Sequence, residues 1–168
     1  MKISLCIILA MLCQYVPAAL AADHDPMSIE IVRLDRRARP PINGADGLLV
    51  LRFISNLNRP ATIYFAGLSA SPDGGDCAVL RYKWTGQKGV DAGMHTYDVS
   101  GEPLHLTKFG NAPWIVPVWL PRSSGEYVLH LEFDNKRLKQ TFDTNSDVED
   151  PKESVFFTCT TTKLLNLP

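Results

Sequence analysis

Several kinds of chemistry are missing from this sequence, and each absence narrows what the chain can be. Its 168 residues contain no Gly-x-Ser-x-Gly elbow, no His-Glu-x-x-His helix and no phosphate-cradling glycine loop. The short motifs of serine hydrolases, zinc peptidases and P-loop enzymes therefore fail outright. Cysteine is scarce and never spaced as Cys-x-x-Cys, which sets aside thiol-redox and zinc sites. Excess charge of one sign is also lacking, with 17 Lys+Arg against 18 Asp+Glu. No strong field then draws the chain to nucleic acid or to an anionic membrane. No Asn-x-Ser/Thr sequon occurs, which fits a bacterial product. An apolar period of 3.6 residues nowhere persists beyond about two turns, so little helix is expected.

What is present begins with an export signal. Lys2 gives a short basic start, Ile3 to Cys13 is almost wholly apolar, and Ala19-Leu20-Ala21 places small residues where a signal peptidase reads them. The apolar run is too short to cross roughly 30 Å of hydrocarbon as a helix. Leu5 and Leu12 precede Cys6 and Cys13, a context unlike that of a lipid-anchored protein. Residues 1–21 are thus expected to be a signal peptide, and 22–168 a single domain of the periplasm or the extracellular space. No integral membrane segment is expected after cleavage, because no later apolar run approaches about 18 residues. Two cysteines remain, Cys77 and Cys159. In an oxidising compartment they are expected to pair, and closing so long a loop would stabilise the fold by about 4–5 kcal/mol.

The mature stretch reads as short strands separated by turns. Ser28–Leu34 alternates, and Leu48–Ser55 is apolar on both faces except at Arg52, as a central strand would be. Ser71-Pro72-Asp73-Gly74-Gly75-Asp76 is a loop, and Ala78–Thr85 follows. His95–Val99 and Leu104–Phe109 flank Ser100-Gly101, which reads as a tight hairpin. Trp114–Leu120 is demoted to an edge by Pro117. Glu126–Asp134 alternates most cleanly, placing Tyr127, Leu129, Leu131 and Phe133 on one face. A turn at Asn135-Lys136 is expected to return the chain as a strand over Leu138–Phe142, and Val155, Phe157 and Cys159 lead into the last strand.

About nine short strands with turns every 8–12 residues predict an all-β fold, a single-domain β-sandwich, immunoglobulin-like or similar. Gly125-Glu126-Tyr127-Val128-Leu129 resembles the tyrosine-corner strand of immunoglobulin-like sandwiches. The cysteine spacing departs from antibody domains, since Cys159 lies on the last strand and not two residues after Tyr127.

Four constellations carry candidate chemistry. Asp143, Asn145 and Asp147 offer oxygens at alternate positions, like the first half of a calcium loop. Val148 stands where such a loop wants glycine and Ser154 where it wants glutamate, so the plain reading is a hydrated acidic connection. Cleavage after Ala21 would expose Ala22-Asp23-His24, whose amine, two amides and His24 imidazole suit planar Cu(II). Arg33, Arg36, Arg37 and Arg39 precede Pro40-Pro41 and can grip carboxylates of a partner or phosphates of an envelope lipid, or simply be a solvated strand end. Trp84, Trp114 and Trp119 offer faces for sugar rings, although tryptophans of small sandwiches mostly supply core area. Trp114 and Trp119 fall on opposite faces of their run, so at most one should be exposed. His95, His105 and His130 lie on strands and read as solvent-facing.

The expectation is an exported, non-enzymatic binding protein of the bacterial envelope, with an inhibitor or immunity-type protein as its concrete form. Another protein is the expected partner and no cofactor is required. The rivals are a carbohydrate-binding module and a hydrolase without a local motif.

Overall fold

A computed structural model of the chain describes residues 25–36, 44–67, 76–86, 91–99, 101–143 and 152–168. Among them are nine strands: β1 (Met27–Arg36), β2 (Gly47–Ser55), β3 (Ala61–Ile63), β4 (Ala78–Gly86), β5 (Asp91–Val99), β6 (Leu104–Leu106), β7 (Asn111–Val118), β8 (Gly125–Asp134) and β9 (Thr158–Leu167). One short helix, α1 (Leu138–Asp143), lies between β8 and β9. The fold is all-β and sandwich-like. A three-stranded sheet, ordered β1-β2-β7, shares its core with a four-stranded sheet ordered β5-β4-β8-β9, while β3 and β6 form a small ribbon.

The alternation of the sequence decides which face is inward. On β2, Leu49, Leu51 and Phe53 are buried while Arg52 is exposed; on β8, Leu129, Leu131 and Phe133 are buried while His130 is exposed. Successive side chains of a strand point to opposite faces, so one set fills the core and the other meets water. Phe53 lies at the centre of that core, with ring centroids 5.0 Å from Phe133 and 5.4 Å from Trp114. Strand β2 is central in its sheet, and β7, with Pro113 and Pro117, is an edge. The Tyr127 hydroxyl returns to the Ser123 carbonyl, four residues upstream, at 3.2 Å, the bond typical of a tyrosine corner.

Three expectations are corrected. Leu138–Phe142 is a helix, not a strand. Leu138 and Phe142 sit four residues apart, a spacing that puts both on one face in either structure, and the N–H groups of Leu138 and Lys139 bond back to the carbonyls of Asn135 and Lys136. The helix then caps one end of the core, with Phe142 against Tyr64 (4.4 Å) and Phe156 (5.3 Å). Nor do β5 and β6 form a hairpin, since β5 pairs with β4 and β6 with β3. Residues 101–103 carry the chain from one sheet to the other, and Pro103 brings no N–H with which to close a ladder.

The third correction is the Cys77–Cys159 bridge, because both residues are free thiols. Leu80, Phe133 and Cys159 share one rung across β4, β8 and β9. Cys77 lies three residues before Leu80, with the whole of β8 between β4 and β9. Two strand spacings separate the thiols by about 10 Å across the sheet and three residues by about 10 Å along it. A disulfide tolerates at most about 7 Å between Cα atoms. Burial pushes the Cys159 thiol up to about 12, with the charges of Asp25 and Glu132 adding to the effect.

Leu131→Ala is expected to cost about 2–5 kcal/mol in urea denaturation, whereas His130→Ala should stay within roughly 0.5 kcal/mol of the parent. Equal losses at the two positions would mean that the inward face of β8 is misassigned. In a protein made of residues 22–168, a maleimide should label the partly exposed Cys77 and spare Cys159 in the native state, and reach two labels in all after denaturation without reductant. A denatured protein that takes no label would restore the bridge.

Candidate functional site

The two open sides of the sandwich are closed by different chemistry. Where β1 meets β9, the Lys163 ammonium donates to the carbonyls of Ile31 (2.7 Å) and Val32 (2.8 Å), at the bulge where the β1 register shifts between Ile31 and Arg33. Arg36 donates to the Pro168 carbonyl at 2.6 Å along the same seam. An ammonium has three donors and no acceptor, so a bulge that frees two carbonyls side by side is a natural seat for it.

Where β5 meets the chain after β7, the closure is aromatic. His95 lies between Tyr82 and Trp119, with ring centroids at 4.9 and 5.3 Å and planes within 20° and 18° of parallel. Tyr82 and His95 are direct partners across β4 and β5, which is why their rings meet. The Trp119 N–H donates to the Tyr82 hydroxyl at 2.8 Å, and the Trp84 indole N–H donates to the Trp119 carbonyl at 2.9 Å. Burial pushes the Tyr82 phenol up to about 12; the bond from Trp119 works against that and the charge of Asp46 with it.

The outer face of the four-stranded sheet carries the polar half of the alternation. Rungs of Thr96, Arg81, Glu132 and Thr160, and of Met94, Lys83, His130 and Thr162, run across its four strands. Arg81 and Glu132 form an ion pair across β4 and β8. Between the rungs lies a shallow cleft of about 290 Å³, lined by Arg81, Lys83, Met94, His130 and Thr160–Thr162 among others. Met94 is 66% exposed at its rim.

The residues singled out in the sequence are scattered. Arg33 is exposed and paired with Asp35 at 3.0 Å. Arg33 and Arg36 line a cleft along the β1–β9 seam, and each is already engaged. His24, Arg37, Arg39, Asn145, Asp147 and residues 1–21 lie outside the described residues, as does the side chain of Asp143, the last residue of α1. Among the described residues, no three His, Cys, Asp or Glu side chains come together as a metal site. Trp84 is fully buried and Trp114 packs on Phe53 and Phe65, whereas Trp119 is 37% exposed. His130 is exposed as expected, and His105, also exposed, lies 3.1 Å from the Thr62 hydroxyl. The stack around His95 has no local signature, since it joins residues 82, 95 and 119 through strand pairing.

Compared with known protein families, curated proteins and solved structures, the chain has no match.

The raised phenol and thiol have a consequence for stability. Each group keeps its proton in the folded state to higher pH than in the unfolded chain, so its contribution is complete below the unfolded value and lost as pH rises through the folded one. Melting temperature should therefore fall as pH climbs from about 9, where the thiol begins to matter, and about 10, where the phenol joins it, towards about 12. Tyr82→Phe should blunt that fall while costing about 1–3 kcal/mol at neutral pH, because the Trp119 N–H loses its acceptor. A Tyr82→Phe protein with an unchanged alkaline profile would remove Tyr82 from this account.

Proposed function

We propose that this chain is an exported, non-enzymatic binding protein of the bacterial cell envelope, periplasmic or secreted, whose partner is another protein. An inhibitor or immunity-type protein that blocks a toxin or hydrolase is the concrete form of this reading. Export rests on Lys2, the apolar run Ile3–Cys13 and the Ala19-Leu20-Ala21 site.

The observation that carries the reading is the outer face of the four-stranded sheet. Its cleft sets an exposed Met94 beside Lys83, His130 and the Arg81–Glu132 pair. Methionine and arginine are enriched in protein interfaces, and Lys83 and Glu132 beside them suit the polar rim that surrounds such a contact. Carbohydrate binding is kept as a second reading by Trp119 alone, whose ring is partly exposed beside the His95 stack.

A photo-crosslinking residue at position 130, in protein expressed with residues 1–168 in an envelope-bearing host, tests both halves. The recovered protein should lack residues 1–21 by intact mass and give a discrete protein adduct from position 130 but none from position 111 on the other sheet. Tryptophan fluorescence should be indifferent to glycans. Retention of residues 1–21 would overturn export. A position 130 without adducts, together with a glycan-dependent fluorescence change, would replace the protein-binding reading with the sugar-binding one.

A further inference from the structure

The edges of the two sheets are not equally protected. A strand edge presents unpaired N–H and C=O groups and invites another strand, so natural sheets cover, charge or interrupt their edges. On β7, Pro113 and Pro117 bring no N–H. The β1–β9 side is held shut by Lys163 and Arg36. Strand β5 differs from these. Among the described residues no strand or backbone bond reaches it from the side away from β4, and its sequence, Asp-Ala-Gly-Met-His-Thr-Tyr-Asp-Val, holds no proline, lysine or arginine. Its one interruption lies near its start. Gly93 has φ +75°, and the register with β4 slips between Lys83 and Thr85, leaving Met94–Val99 as the regular stretch.

We infer that this regular stretch of β5 pairs with the β5 of a second copy, antiparallel about a two-fold axis through Thr96, to make one continuous eight-stranded sheet from the two four-stranded ones. The register follows from three constraints. Directly opposed residues of an antiparallel pair point to the same face, so the two residue numbers of each pair must sum to an even number, or the outer face of one copy would meet the inner face of the other. An axis through His95 would run the ladder through the Gly93 irregularity. An axis through Tyr97 would bring the two Asp98 residues diagonally together, with like charges within reach.

Only the Thr96 axis avoids both. It sets Thr96 against Thr96 of the second copy, a favourable cross-strand pair. It also sets Met94 against Asp98 of the second copy, which in its own chain is bonded to Arg137 at 2.8 Å. Met94, the most exposed large apolar side chain described, thereby gains a neighbour along the new ladder while its outer side stays open to the cleft. The contact is isologous and closes on itself, so it makes a dimer and not a fibre.

Sedimentation velocity over a concentration series tests the proposal, and Thr96, being exposed, can be changed with little effect on the monomer. The protein should be in monomer–dimer equilibrium. Thr96→Lys places two like charges face to face on the axis and should raise the dissociation constant by roughly tenfold or more with an unchanged melting temperature. In a Cys77→Ser background, Thr96→Cys should oxidise to a covalent dimer, because opposed Cα atoms lie about 4.5–5.5 Å apart, within disulfide reach. Met94→Cys, which faces Asp98 and not itself, should not. A monomer at every concentration would overturn the proposal, as would a dimer indifferent to Thr96→Lys or crosslinked by Met94→Cys in preference to Thr96→Cys. Adducts at position 130 are independent of these outcomes, so the binding face and the dimer edge stand or fall separately.

Discussion

The end of the sandwich is organised around one buried amide. Asn135 is fully buried, and its side chain donates to the carbonyls of Tyr64 (3.2 Å) and Val155 (3.1 Å) while accepting from the Phe157 N–H (2.8 Å). Its own backbone N–H bonds to the Phe157 carbonyl. Two segments distant in sequence, one at Tyr64 and one over Val155–Phe157, are thus tied to the residue that follows β8. A satisfied polar group in a core rigidifies its surroundings, whereas each of these partners left unpaired would cost about 1–3 kcal/mol. From this point the chain turns into α1, Phe142 reaches Tyr64 and Phe156, and the residues before β9 are aligned to enter beside β8.

The aromatic core gives that amide its setting. Phe53, Phe65, Trp114, Phe133 and Phe157 meet with centroid distances between 5.0 and 6.3 Å, mostly tilted or edge-on. Rings in such arrangements supply large buried area with few rotatable bonds. With one end fixed by Asn135 and one side by the seating of Lys163, the remaining side rests on the flat stack of Tyr82, His95 and Trp119. That side is also where β5 lies at the edge of its sheet.

Much of the fold was legible because it depends on a local period. The alternation of Leu129, Leu131 and Phe133 against His130 specified the inward face of β8. The run Leu48–Ser55 announced a central strand, and Pro117 an edge. Tyr127 was legible as a corner residue because its bond spans only four residues. The exposure of one tryptophan out of the Trp114–Trp119 pair followed from the same parity. The candidate site was much less legible. Its outer face could be read as polar, but the stack around His95 depends on β4 meeting β5 and on the chain after β7 crossing to them.

By itself, then, the sequence determined the all-β class, the inward and outward phase of its longest strands, and the absence of any local catalytic motif. These are properties of the backbone period and of residue type, and they hold wherever a strand is placed. Only the tertiary structure decided which strands are neighbours: that β5 leaves β6 for β4, that β8 stands between Cys77 and Cys159, and that Leu138–Phe142 closes the core as a helix. The physical reason is that closing a longer loop costs only a logarithmic increment of entropy, so proximity along the chain is a weak guide to partnership. Pairing is settled by which faces bury together and which buried polar groups find partners. A four-residue spacing such as Leu138 to Phe142 satisfies helix and strand alike until Asn135 turns the chain.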